Sequence, residues 1–166
     1  MKIFLIGMPG SGKTTLGQQV AQALNLKFVD LDKEIEKKEK ATIPDIFQFH
    51  GEVYFREVES IVLKSWATSA DSFIMATGGG TPCFHEGIDV INENGISVFL
   101  NVPVDELLKR TVHKTHRPLL AGENEFEKRE KLKTLYAKRL GIYEKAEIVL
   151  LSPDTSMLLK ALQLNM

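Results

Sequence analysis

Eight residues near the N-terminus, "GMPGSGKT" (Gly7–Thr14), follow the pattern G-x-x-x-x-G-K-S/T. Glycines at this spacing let successive backbone N–H groups turn inward and form a nest for phosphate oxygens. A helix opening near Gly12 adds the positive end of its dipole. From such a loop Lys13 reaches the β- and γ-phosphates, and the Thr14 hydroxyl is placed to coordinate Mg²⁺. The pattern predicts binding of a nucleoside triphosphate. By itself it does not separate a GTPase, an ATPase motor, a small-molecule kinase or a nucleotide kinase. A guanine-reading N-K-x-D sequence is missing from the chain, which sets the GTPases aside.

Two carboxylates come next. "VDLD" places Asp30 and Asp32 two residues apart, so in an extended strand both side chains point to one face. Like charges there are unfavourable without a cation or donor between them, and Mg²⁺ at the neighbouring strand end would supply one. One carboxylate then holds a metal-bound water while the other takes the proton of an attacking hydroxyl. The alternative makes Asp32 the N-cap of a helix over "KEIEKKEK", and the two roles are compatible. Further on, "GEVYFREVES" sets Arg56 between Glu52 and Glu59. Spacing alone reads this first as a helical salt bridge. A guanidinium oriented by Glu59 is also suited to grip a substrate carboxylate bidentately.

The stretch "IMATGGGTP" (Ile74–Pro82) drives an apolar run into three consecutive glycines. One or two glycines serve a turn that needs positive φ. Three suggest backbone exposed so that a flat, small ligand packs against it and accepts its N–H bonds.

These residues need elements to hold them in register. "KIFLI" (2–6), "KFVDL" (27–31), "SFIMAT" (72–77), "ISVFLNV" (96–102) and "AEIVLL" (146–151) read as strands. All but the second are apolar nearly throughout, as in parallel strands covered on both faces. Helical patterns lie between them at about 12–24 (apolar face Leu16, Val20, Ala23, Leu24), 51–68, 86–94, 104–112, 125–145 and 154–164. Alternating strands and helices predict an α/β fold, a three-layer α/β/α arrangement around a central five-stranded parallel sheet. Ligands in such sheets bind at the carboxyl ends of the strands, where all the residues above fall.

The bulk properties agree. The 166 residues suit a single domain over 1–166. With 21 basic against 22 acidic residues, no overall field favours nucleic acid or an anionic membrane. No apolar run approaches the length of a membrane span. The one cysteine, Cys83, leaves no internal disulfide and fits a cytoplasmic setting. His50, His85, His113 and His116 make no metal pattern and read as exposed. A monomer is the expected state.

Taken together, "GMPGSGKT", "DLD", "GEVYFREVE", "GGG", "RPLL" (Arg117–Leu120) and "KRLGIYEKA" (138–146) stand in the order found in shikimate kinases, which the chain resembles over nearly its whole length. The resemblance implies a kinase fold with a phosphate loop and a lid (about 113–124), a substrate-binding helical segment (about 32–62), and transfer of phosphate from MgATP to the 3-hydroxyl of shikimate. It implies that Gly10, Ser11, Gly12, Lys13, Thr14 and Thr15 hold the nucleotide, with Arg110 against the adenine and Pro153 of the "SPD" turn beside it. Thr14 binds Mg²⁺ directly and Asp30 through water. Asp32 is then the base and a shikimate ligand, Arg56 and Arg139 grip the carboxylate, Gly78, Gly79 and Gly80 press on the ring, and Arg117 in the lid "THRPLLAGENE" meets the γ-phosphate. Gluconate or nucleotide kinases on the same fold, and a non-catalytic nucleotide-binding module, are the competing readings. One departure stands out: the family's R-x-P-L-Y reads "RLGIY" here, and Gly141 in place of proline loosens the backbone just beyond Arg139.

Overall fold

A computed structural model of the chain describes residues 1–112 and 124–166. In chain order the elements are β1 (Lys2–Ile6), α1 (Lys13–Leu24), β2 (Lys27–Asp30), α2 (Leu31–Glu39), α3 (Ile43–Ala67), β3 (Phe73–Ala76), a 3₁₀ turn (Thr81–Cys83), α4 (Gly87–Asn94), β4 (Ile96–Asn101), α5 (Val104–Val112), α6 (Glu125–Tyr143), β5 (Ile148–Leu151) and α7 (Thr155–Leu164). The five strands form one parallel sheet in the order β2-β3-β1-β4-β5. The chain builds β2 and β3 on one side of β1, then crosses to build β4 and β5 on the other. The carboxyl end of β1, from which the phosphate loop springs, is therefore where the winding reverses.

Side chains alternate across the sheet with period two. Phe4, Ile6, Phe73, Met75 and Phe99 face one layer, packed by Ile35, Phe55, Val62, Ile91 and Leu132 from the helices on that side. Ile3, Leu5, Ile74, Val98 and Leu100 face the other, covered by Val20, Ala21, Leu158 and Leu162 of α1 and α7. This is the expected α/β/α sandwich. The α1 helix lies so close to the sheet that a Cβ on Gly17 would sit 2.7 Å from the Phe28 ring.

Several local expectations are corrected. The apolar face of α1 includes Leu16, Val20 and Leu24 as expected, but Gly17 and Ala21 complete it and Ala23 is exposed. The edge strand β5 is covered on one face only: Ile148 is buried with Leu158 and Leu162 of α7, whereas Val149 is 48% and Leu151 66% exposed. An unexpected helical segment begins at Ile43, where Thr42 caps it by accepting from the Asp45 N–H, and Gly51 (φ 81°, ψ 175°) breaks it, so that the helix expected from about residue 51 follows as a second segment. β2 ends at Asp30, not beyond it.

Candidate active site

The phosphate loop takes the conformation its glycines permit. Gly10 (φ 85°) and Gly12 (φ 96°) both occupy the left-handed region, where a side chain would be strained. The α1 helix then starts at Lys13 without a side-chain cap, so its first amide donors point into the loop. Lys13 Nζ donates to the carbonyls of Gly7 at 2.8 Å and Met8 at 2.9 Å, which hold it over the nest. The Ser11 hydroxyl is buried and has no hydrogen-bond partner. A buried polar atom without a partner is costly, and a phosphate oxygen or a metal-bound water in the nest would satisfy it. The loop fits a triphosphate.

A cavity of about 1150 Å³ opens in front of it. Gly10, Gly12, Lys13, Thr14 and Thr15 form its floor, and Asp30, Asp32, Gly78 and Gly79 form one wall. Arg110 and Pro153 stand at the opposite wall, where the adenine was expected. Arg110 is fixed there by a bond from Nη1 to the Gly10 carbonyl at 3.1 Å and by Glu106, which accepts from Nη2 at 2.7 Å. Glu106 also accepts from the Ser152 hydroxyl at 2.9 Å, tying the arginine to the turn that carries Pro153.

The two aspartates reach the cavity by a route the sequence pattern did not indicate. They do not share a strand face. Asp30 is the last residue of β2 and caps α2, accepting from the Lys33 N–H at 3.3 Å; Asp32 lies in the first helical turn. The N-cap is thus Asp30 and not Asp32. Both still line the cavity, because the helix turns back at once over the strand end. Burial pushes the Asp32 carboxyl from its ordinary 3.8 up to about 6, with the charges of Asp30, Glu59 and Glu36 adding to the effect and Lys13 opposing it.

Arg56 makes the salt bridges that its spacing predicts. Nη1 donates to Glu59 at 2.9 Å and Nε lies 3.5 Å from Glu52. Yet Arg56 is nearly buried, and its guanidinium lies 4.1 Å from the centre of the Phe84 ring. Glu59 is fully enclosed and takes a second bond from the Thr81 hydroxyl at 2.8 Å. Thr81 and Phe84 were missed from sequence: a threonine and a phenylalanine after a glycine run carry no signal of their own.

None of Gly78, Gly79 and Gly80 has positive φ, so turn geometry is not what requires them. A Cβ on Gly80 would lie 2.6 Å from the Arg56 guanidinium, and one on Gly79 would lie 2.9 Å from Arg139 Nη1 and from the Pro9 ring. A Cβ on Gly78 would lie 3.1 Å from the Glu59 carboxylate and 3.4 Å from Asp32. The backbone is bare chiefly to admit two arginines and two carboxylates of the protein itself. Gly78 and Gly79 line the cavity; Arg139 reaches Gly79, and Arg56 reaches the adjoining Gly80.

The remaining wall comes from α6, through Glu130, Lys131, Thr134 and Lys138. These were not anticipated, because the helix is polar on most sides and periodicity marks no single face. Arg117 and the lid segment 113–123, with His113 and His116, lie outside the described residues. Among the described residues, no group of histidine, cysteine and carboxylate side chains is arranged to hold a metal unaided. His50 and His85 are exposed, as expected.

A family model for shikimate kinase matches residues 9–162. The chain belongs to the shikimate kinase family. It is 36% identical to a shikimate kinase of Aquifex aeolicus over 148 residues, 89% of this chain and 84% of that protein. The fold superposes on the crystal structure of shikimate kinase from Bacteroides thetaiotaomicron with a TM-score of 0.89 at 35% identity, covering 99% of this chain and 96% of that one. Shikimate kinase from Acinetobacter baumannii, solved in complex with shikimate, gives a TM-score of 0.88 at 38% identity, covering 99% and 92%. Shikimate kinases use ATP, and the phosphate loop lines the cavity. The glycine that departs from the family's R-x-P-L-Y, Gly141, lies inside α6, and a Cβ placed on it would meet nothing within 4 Å. No helix among the described residues is long and apolar enough to cross a membrane.

Proposed function

We propose that this chain transfers the γ-phosphate of MgATP to the 3-hydroxyl of shikimate, giving shikimate 3-phosphate and ADP in aromatic amino-acid biosynthesis. The observation that carries the reading is a cavity lined by the phosphate loop, Asp32, Gly78 and Gly79, with Arg139 reaching Gly79 and Arg56 reaching the adjoining Gly80. A polyhydroxy acid of shikimate's size matches that chemistry at each end. Its carboxylate suits the two guanidinium groups, and its hydroxyls suit Asp32.

The 3-hydroxyl oxygen attacks the γ-phosphorus while its proton passes to Asp32, and the bond to the β,γ-bridging oxygen breaks to release ADP. A carboxylate held near 6 is a better proton acceptor than an ordinary aspartate and remains ionised at neutral pH. Lys13 lies where charge builds on the β- and γ-phosphate oxygens, and the α1 amide donors face the same oxygens. Mg²⁺ would be held by the Thr14 hydroxyl and, through water, by Asp30; it neutralises phosphate charge. Arg110 and Pro153 would border the adenine. Arg117 is assigned to the transferring phosphoryl group by the family resemblance alone. The reading carries with it a single catalytic domain acting as a cytoplasmic monomer.

The test is ADP release from MgATP with shikimate, gluconate, AMP or no acceptor in parallel. Release dependent on shikimate alone is expected. Equal release with gluconate or AMP would overturn the acceptor assignment, and release with none of them would overturn the kinase assignment.

A further inference from the structure

Arg139 is presented by a helix that ought to hold it loosely. Gly141 lies two residues further along α6, and a glycine inside a helix weakens it. No neighbour compensates at that position, since the space around Gly141 is open to 4 Å. Even so, Arg139 reaches the glycine run: its Nη1 stands 2.9 Å from where a Cβ on Gly79 would be.

Tyr143, one helical turn after Arg139, lies at this same spot. It is the last residue of α6 and is wholly buried, with its ring packed against Phe99 at 5.0 Å between centres. Its hydroxyl donates to the Gly79 carbonyl at 2.5 Å and lies 3.9 Å from Met8 Sδ. Burial pushes that hydroxyl up to about 12, against the charge and hydrogen bonding of the adjacent Arg139. The phenol therefore stays protonated and keeps donating throughout the working pH range. Arg139 and Tyr143 thus converge on one residue, Gly79, from successive turns of the same helix.

We infer that Tyr143 is a positioning residue for acceptor binding, its hydroxyl pinning the end of α6 to the Gly79 carbonyl and so fixing Arg139 against the glycine wall. The inference rests on the reading that Arg139 contacts the acceptor's carboxylate. It also accounts for how the chain tolerates Gly141 so near that arginine. The nucleotide side should not feel the hydroxyl. Lys13 is held by the main-chain carbonyls of Gly7 and Met8, whereas Tyr143 reaches only the Met8 side chain.

The test is a double-mutant cycle on KM for shikimate, with Tyr143→Phe, Arg139→Ala and the pair, alongside KM for ATP and ADP affinity. Tyr143→Phe keeps the ring and its packing and removes only the hydroxyl. It should raise KM for shikimate roughly tenfold, leave ADP affinity within about twofold, and add almost nothing in the Arg139→Ala background. An unchanged KM for shikimate in Tyr143→Phe would overturn the inference while leaving the role of Arg139 intact. So would a rise of the same size in the Arg139→Ala background, since the hydroxyl would then act by another route. Loss of ADP binding in Tyr143→Phe would also overturn it, by showing that the hydroxyl holds the fold in general. If Arg139→Ala itself left KM for shikimate unchanged, the assignment of Arg139 would fail and the inference with it.

Discussion

Asp32, the proposed base, carries a stability consequence. Its folded pKa, about 6, stands above the ordinary 3.8, so folding favours the protonated form. The sign follows from linkage: the contribution is fully present below about pH 3.8 and is lost as pH rises through 6. The rise from 3.8 to about 6 corresponds to a ceiling of ~3 kcal/mol at pH 8. Asp32→Asn, neutral at every pH, should unfold at higher urea than the wild type at pH 8, and the difference should shrink towards pH 4. A pH-independent difference would show that Asp32 is not strained by its burial. The same variant should lose at least ~100-fold in transfer while still binding ADP. Surviving turnover would remove Asp32 from the role of base. Arg56→Ala should raise KM for shikimate ~10–100-fold, the loss of one charge-assisted pairing, with KM for ATP nearly unchanged. An unaltered KM for shikimate would return Arg56 to a structural salt bridge with Glu59.

At the level of elements, the glycine run at the end of β3 and the glycine in α6 make opposite predictions. Gly80→Ala would place a methyl group 2.6 Å from the Arg56 guanidinium, which must move. The variant should raise KM for shikimate about as much as Arg56→Ala does, roughly tenfold or more, without weakening ATP. Gly141→Ala meets open space inside a helix and should stabilise the protein by about 0.5–1 kcal/mol in urea unfolding. Destabilisation would mean that the helix needs its glycine. The elements themselves were largely legible, since β1, β3 and β4 are apolar runs and the helices between them show helical spacing. What sequence could not resolve was where strand gives way to helix at "VDLD". A carboxylate two residues after another looks the same whether the chain is extended or turning, and only the bond from Lys33 N–H to Asp30 decides it. The glycines were read as backbone laid bare for a ligand, whereas the structure shows side chains of the protein itself approaching them. The approaching groups, Arg56 and Arg139, lie 24 and 60 residues away in sequence, beyond the reach of any local pattern.

For the molecule as a whole, the strand order brings residues from both ends of the chain to one edge of the sheet. Phosphate loop, aspartates, glycine wall and the Pro153 turn all meet at the carboxyl ends of the strands because each follows a parallel strand directly. The phosphate loop and the order of motifs made the site's location readable. The contribution of α6 was not, because Glu130, Lys131, Thr134 and Lys138 look in sequence like an ordinary solvated helix face. The central claim is that this arrangement directs one phosphoryl group to one hydroxyl of shikimate and not to water. The most direct measurement is the ³¹P spectrum of the products formed from MgATP and shikimate. The account predicts ADP and a single new phosphate monoester coupled to the proton on C3 of the ring. Inorganic phosphate as the main product, or an ester on another ring hydroxyl, would contradict it.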